Sequence, residues 1–431
     1  MIIRIAPYPG TGELHTERAL ENLPPAGRLH YTGTWGLLTL REIWLLITGE
    51  YPPRQGGVGD YVRQIAIALA ARGDEVHVWA PESARGASAD SGVELHPLPG
   101  DFTPRGLRAL SRGLSRFPAP RRLFVQYVPH AYGYRAMNIP FCAWLAARRA
   151  DRVWVMFHEV AFPWGRGRPL SHNVLGAVTR AMAWGVASRA DQVLVSTGSW
   201  VERLRALHVR LGPVLALPIP SNLPLSLTPA EREAGRLTRP GGNGAIVLGH
   251  FGTYGASVTD VLGPALESLL LKDERRTALL LGRGGDVFMR GLAGRPGLAG
   301  RVVAPGELPP REVAARLSAC DLLLQPYPDG ITCRRTSAMA GIGLGLPVVT
   351  NAGELTEPLW RQLGPVALAD RPDAGALAAR AETLLASPEE RARLGGRARE
   401  VYAEHLSIER NVEELLRLAT AETAEAAGRA R

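Results

Sequence analysis

The stretch EIWLLITGEYPPRQGGVGDYVRQIAIALAARGDEVHVWAP, residues 42 to 81, constrains the fold more than any other part of the chain. An apolar run suited to a buried strand (42 to 49) leads through a glycine-bearing loop into Val62, Ile65, Ala66 and Leu69 at helical spacing. Gly73 closes that helix ahead of EVHVWAP, a second strand. Strand, helix and strand in this order make a βαβ unit, which calls for a parallel sheet with helices on both faces.

The alternation continues through RLFVQYV (122 to 128), RVWVMFHEV (152 to 160) and QVLVST (192 to 197), with helical stretches around 138 to 149 and 172 to 188. The polar, Pro- and Gly-rich LTPAEREAGRLTRPGGNG (227 to 244) interrupts it and reads as a domain boundary. A second series then begins at AIVLGHFGTYG (245 to 255) and runs through TALLLGRGGD, RVVAPG, DLLLQPYP, LPVVTN and VALAD. At 431 residues the chain is too long for one core. The expected fold is α/β, two Rossmann-like doubly wound parallel-sheet domains facing a cleft, over residues 42–226 and 245–405. Residues 1–41 read as a poorly ordered extension and 406–431 as a C-terminal helix crossing back to the first domain. In such folds ligands sit at the carboxyl ends of the strands.

Composition narrows the partners. The formal charge is +9, yet Lys272 is the only lysine, so the charge is almost wholly arginine and reads as compositional preference. With no basic stripe, interleaved aromatics or zinc-finger pattern, nucleic acid is not an expected partner. Cys142, Cys320 and Cys333 are odd in number and widely spaced, which fits a reducing compartment rather than disulfides or a zinc site. Apolar runs such as IWLLITG and IPFCAWLAA fall short of the ~20 residues of a spanning helix. The start MIIRIAPYPG lacks a signal-peptide pattern. A cytoplasmic protein is expected, with peripheral contact to anionic membrane as an option for the arginine-rich first domain. Its candidate surfaces are the helix around 138 to 149 and RGLRALSRGLSRF (105 to 117), where Leu107, Leu110 and Leu114 fall at helical spacing. An ordinary surface helix is the favoured reading of the latter.

Several strand ends carry chemistry. Gly56, Gly57 and Gly59 follow the first strand and open the first helix, where bare backbone and free N–H groups suit an anion. A plain strand-to-helix turn accounts for them as well. His158 ends a strand in VMFHEV, with Glu159 beside it, a position from which a histidine accepts a proton or bonds a sugar hydroxyl. His130, in QYVPHAYG, ends the preceding strand in the same way, whereas His77 alternates within a strand as a structural residue would. Gly252 in GHFGTYG and Arg283 in GRGGD mark strand ends with room for a nucleotide and its diphosphate.

PYPDGITCRRTSAMAGIGLGLPVVTN, residues 326 to 351, is the densest cluster. Asp329 and Gly330 lie at a strand end, and the N–H groups of Ile331, Thr332 and Cys333 precede a helix on which Thr336 and Ser337 take the first turn. Backbone amides there suit an anion, while a carboxylate fixes hydroxyls on the group attached to it. Arg334 and Arg335 oppose the helix dipole unless they face an anion, so a phosphate partner is expected for them.

From residue 42 to about 420 the chain resembles the GT-B retaining glycosyltransferases of family 4. ITGEYPPRQGGVGDYVRQIAIALAARGDEVHVWAP is similar to the family's opening strand, glycine loop and helix, FHE (157 to 159) to its strand-end histidine, and SACDLLLQPYPDGITCRRTSAMAGIGLGLPVVTNAGEL to its second-domain segment. The resemblance implies an acceptor domain followed by a donor domain. It also implies His158 beside the transferred sugar, Asp329 on the sugar hydroxyls, and no metal. Two departures stand out. The family's second glutamate is Ser337, and its phosphate-clamp lysine after the GHFGTYGAS stretch is missing, leaving Arg334 and Arg335 to supply that charge. The implied function is retaining transfer of a sugar from a nucleotide diphosphate sugar (UDP- or GDP-sugar) to a hydroxyl of a glycan, lipid-linked or small-molecule acceptor, as in polysaccharide or glycoconjugate biosynthesis. The alternatives are a degenerate GT-B protein that binds a glycan or partner without catalysis, and a nucleotide-sugar epimerase on the same fold. Neither the oligomeric state nor the sugar is legible.

Overall fold

The computed structural model describes residues 42–429 apart from positions 55, 89 and 243, so the extension expected over 1–41 lies outside the described residues. The chain divides into two compact units, each with one parallel sheet. The first gathers the chain up to Leu194 with Leu204–Val214 and the stretch from Val412 onward; the second takes Val195–Arg203 and Leu215–Asn411.

In the first sheet, β1 (Ile43–Thr48), β2 (Glu75–Pro81), β3 (Val93–Leu98), β4 (Arg122–Tyr127), β5 (Arg152–Phe157), β6 (Gln192–Val195) and β7 (Val214–Ala216) lie in the order β3-β2-β1-β4-β5-β6-β7. Trp44, Leu45, Leu46 and Ile47 are all at most 1% exposed, as a strand covered on both faces requires. The helix Gly57–Ala71 follows β1 and buries Tyr61, Val62, Ile65, Ala66 and Leu69.

One arginine ties this unit together. Arg122, at the start of β4, lies 5.1 Å from the Trp44 ring and 4.9 Å from the Trp154 ring. It donates to Glu42 Oε2 (2.9 Å) and to Glu422 Oε2 (3.1 Å), and Glu422 Oε1 accepts from Trp154 Nε1 at 3.3 Å. The helix Ile408–Arg429, which carries Glu422, is thereby fixed to the leading ends of β4 and β5.

The second sheet has β8 (Ile246–Phe251), β9 (Arg276–Leu281), β10 (Val302–Val303), β11 (Leu322–Gln325), β12 (Val348–Asn351) and β13 (Ala367–Ala369) in the order β10-β9-β8-β11-β12-β13. Because strand side chains alternate, Leu323 packs into one core cluster with Val247, Leu281 and Val348, while Leu322 and Leu324 enter another with Leu248, Leu280 and Val349. The unbroken apolar runs of the sequence are the mark of that two-sided burial.

Two expectations change. The stretch 227–244 is no linker: Pro229–Leu237 is a helix whose capping box pairs Thr228 with Glu231, and Gly235 lies against the backbone of Ala315. Its polarity reflects a capped surface helix within the second unit, whose main span begins at Leu215. The helix Pro104–Leu114, a candidate membrane face, turns Leu107, Leu110 and Leu114 into the core, so its apolar side is already used. Among the described residues no helix is long and apolar enough to cross a membrane.

Arg122→Ala leaves two carboxylates without their cation and should lower the unfolding free energy of the first unit by about 2–3 kcal/mol, below the 3–5 of a fully buried pair because both acids are partly exposed. Urea unfolding followed by tryptophan fluorescence checks this.

Candidate functional site

In the second unit the carboxyl ends of β8, β9, β11 and β12 gather the predicted residues. The loop after β11 is folded by its own backbone. Gly330 adopts φ +84, and a Cβ there would stand 2.1 Å from Thr356 Oγ1 and 2.3 Å from Gly353 N, so only glycine lets the loop lie on the 353–356 turn. Ile331 N–H donates to Asn351 O (3.0 Å) and Cys333 N–H to Glu357 Oε1 (3.1 Å); Ile331 and Thr332 are fully buried. The amides of Ile331 and Cys333, read from the sequence as anion donors, are therefore spent inside the fold.

Asp329 bonds both arginines. Arg334 Nη2 lies 3.3 Å from Asp329 Oδ2, and Arg335 Nη2 donates to Asp329 Oδ1. The three side chains are 23–27% exposed. Arg334 lies over the Trp200 ring at 5.1 Å and Arg335 over the Tyr327 ring at 4.6 Å. An internal carboxylate thus answers the dipole argument that called for a phosphate, and it takes up the acid assigned to sugar hydroxyls.

Beside this triad lies a small neutral corner. Tyr327 is buried, which pushes its hydroxyl up to about 12, and its oxygen accepts from Ala338 N–H. Its hydroxyl shares a hydrogen bond with Ser337 Oγ, 2.8 Å away, in which either oxygen can be the donor. His250, 2% exposed, sets Nδ1 2.7 Å from Leu324 O; a carbonyl only accepts, so Nδ1 carries the hydrogen and Nε2 an outward lone pair. Burial lowers His250 to about 4 and keeps it neutral, and Nε2 has no partner among the described residues. Both Nε2 and Ser337 Oγ lie 3.7 Å from where a Cβ on Gly252 would be. An acceptor nitrogen and a hydroxyl facing one space at a glycine suit a ligand hydroxyl group. Arg283, by contrast, is 70% exposed and pairs with Glu307 at 3.7 Å.

In the first unit His158 is 6% exposed, with Nε2 2.9 Å from Gln126 Oε1 and its ring edge-on to Tyr61. Burial lowers it to about 3, so it is a neutral core residue, not a histidine held out to solvent. A Cβ on Gly56 would stand 2.5 Å from Glu50 Oε2, the end of a side chain that can swing aside, Gly59 packs on the Tyr51 backbone, and Gly57 borders open space. The accessible group at this sheet end is His130, half-exposed, 3.2 Å from Glu50 and 3.6 Å from Glu159. Hydrogen bonds to Glu159 and then Glu50 raise it to about 9.

Sequence reasoning named His158, Gly252, Asp329, Arg334, Arg335 and Ser337 but passed over Tyr327, His250 and Glu50. The signal for His250 was its place in an apolar strand just before the glycine; the other two gave none apart from strand-end position.

Residues 56–220 match the family model described as a glycosyl transferase 4-like domain. No curated protein matches the chain in sequence. Among solved structures, sucrose-phosphate synthase from Thermosynechococcus elongatus is 19% identical with a TM-score of 0.67, covering 89% of this chain and 100% of that one. The Anabaena protein HepE in complex with UDP and glucose is 16% identical with a TM-score of 0.63, covering 88% and 100%. WaaG, a glycosyltransferase involved in lipopolysaccharide biosynthesis, is 18% identical with a TM-score of 0.60, covering 87% and 99%. The chain therefore carries a glycosyl transferase 4-like domain and has the two-domain GT-B fold.

The raised pKa of His130 has a sign. The folded state holds its proton more tightly than the unfolded chain, so the stabilisation is complete below about pH 6.5 and is lost as pH rises through about 9. Urea titrations from pH 6 to 9.5 should show wild type losing its advantage over His130→Gln across that window.

Proposed function

From a chain with a glycosyl transferase 4-like domain on a GT-B fold, we propose a glycosyltransferase that takes a sugar from a nucleotide diphosphate sugar to a hydroxyl acceptor with retention. The observation that carries this reading is the corner at Gly252, where His250 Nε2 offers an acceptor and Ser337 a hydroxyl to a hydroxyl of the donor molecule. Arg334 and Arg335 lie next to it and suit the diphosphate once Asp329 yields them. In the transfer the bond from the anomeric carbon to the diphosphate breaks with its electron pair leaving on the phosphate. The acceptor oxygen bonds the same face, and its proton passes to the departing phosphate oxygen. Such chemistry asks for charge stabilisation and positioning, with no protein nucleophile.

UDP is the first nucleotide to test, since a structural neighbour holds UDP and glucose. Titration calorimetry with UDP, 2′-deoxy-UDP, 3′-deoxy-UDP and GDP should show one hydroxyl-lacking analogue about tenfold weaker, a cost of about 1.4 kcal/mol. Ser337→Ala should erase that preference. Absence of binding by any nucleotide would turn the reading to a degenerate binding protein, and conversion of a UDP-sugar without acceptor to an epimerase.

A peripheral membrane contact, suited to a lipid-linked acceptor, is supported by a different surface from the helix the sequence nominated. On the helix Leu170–Arg189, Leu170, Val174, Ala177, Ala181 and Trp184 are exposed at helical spacing, and Trp164, Arg166 and Arg168 precede them. Leu170 is 81% exposed and Trp164 54%. An apolar stripe next to tryptophan and arginine fits an anionic interface. Co-sedimentation with phosphatidylserine-containing vesicles, but not phosphatidylcholine alone, should drop several-fold in Leu170→Asp.

A further inference from the structure

β2 and β3 each carry a Glu-x-His sequence, Glu75-Val76-His77 and Glu94-Leu95-His96. The strands pair in parallel with His77 beside Glu94 and Trp79 beside His96, and β3 is the edge strand of its sheet. Alternation puts Glu75, His77 and Trp79 on one face of β2 and Glu94 and His96 on one face of β3.

These side chains converge. His77 Nδ1 is 3.0 Å from His96 Nε2 and 3.3 Å from Glu94 Oε2, and His96 Nε2 is 3.6 Å from Glu94 Oε1. We propose that this cluster binds one divalent transition-metal ion, zinc by preference, through His77 Nδ1, His96 Nε2 and the Glu94 carboxylate.

Zinc bonds of about 2.0–2.1 Å place tetrahedral ligand atoms about 3.3 Å apart, and the three measured separations straddle that value. Two imidazoles and a carboxylate select zinc or a neighbouring first-row ion over magnesium or calcium. The outer contacts fit as well. His77 Nε2 lies 3.0 Å from Glu75 Oε1, so its hydrogen is directed there and the Nδ1 lone pair faces the cluster, the carboxylate–histidine–metal arrangement. Trp79 stacks on His96 at 4.5 Å and Phe117 packs edge-on to His77 at 4.6 Å, which fixes both rings. In the metal-free chain His96 Nε2–H can donate to the His77 Nδ1 lone pair, and a shift of that hydrogen to His96 Nδ1 frees both facing nitrogens for the ion. Glu94 is 63% exposed, which leaves the fourth position to water. The ion would pin the edge strand to its neighbour. This departs from the expectation that His77 is purely structural and that the chain holds no metal.

The test uses the full chain stripped with a chelator and titrated with Co(II), then Zn(II). One equivalent of cobalt should give the visible absorption of a tetrahedral site, displaced by zinc, with a rise in the unfolding midpoint. His96→Gln should abolish saturable binding, and Glu75→Ala should weaken it about tenfold. Should His96→Gln fail to fold, Glu94→Gln tests the same site from an exposed position. Lack of stoichiometric binding, or equal affinity in the folded ligand variants, overturns the proposal.

Discussion

The loop after β11 depends on one buried carboxylate. Glu357, 7% exposed, accepts from Cys333 N–H and the Thr197 hydroxyl through Oε1, and from Trp360 Nε1–H through Oε2 at 2.9 Å. Both oxygens are thus supplied with donors from segments far apart in sequence, as a carboxylate removed from water demands. Ser199 adds a hydroxyl bond to Leu355 O, and Leu355 N–H reaches Asp329 O. With the amides of Ile331 and Cys333 committed in this way, neither is left for a phosphate, and side chains carry that share of the recognition the proposed function needs.

Those side chains fall into two kinds with different tolerance for change. Tyr327 and His250 are buried and neutral, Ser337 is half-buried, and His250 Nδ1–H is directed to Leu324 O. On the proposed function, an acceptor beside a hydroxyl would discriminate against a ligand lacking the matching group, because the site's own polar atoms would then stay unpaired. Ser337 in place of the family's glutamate would then change how a hydroxyl is read without removing the means to read it. The Tyr327 hydroxyl and the His250 lone pair are supplied by residues outside the motif.

Fold class was legible because two-sided burial of parallel strands writes unbroken apolar runs, and the loops between them carry glycine. The 227–244 stretch misled because a capped amphipathic helix and a linker share polar residues, proline and glycine, and the capping box Thr228-x-x-Glu231 was the discriminating signal. Site residues were legible as strand-end positions only. Whether His158 turns to solvent or to Gln126 depends on side-chain direction across two strands, which spacing along one strand does not encode. The Asp329 triad shows the same limit: adjacent opposite charges suggest a ligand or each other, and only geometry chooses.

On the proposed function, that triad is also where a resting site would differ from a loaded one. Its ion pairs are about a quarter exposed, so each is worth of order 0–1 kcal/mol, well below a buried pair. A diphosphate brings more negative charge and more acceptor oxygens than one carboxylate, and bidentate bonds to guanidinium are the stronger kind. Exchange of Asp329 for phosphate is therefore cheap, and it releases the carboxylate beside the bound group, where it can accept from hydroxyls. The arginines remain oriented meanwhile by the Trp200 and Tyr327 rings. A pair held this way is preorganised without being locked, as the proposed binding and release of a diphosphate would require.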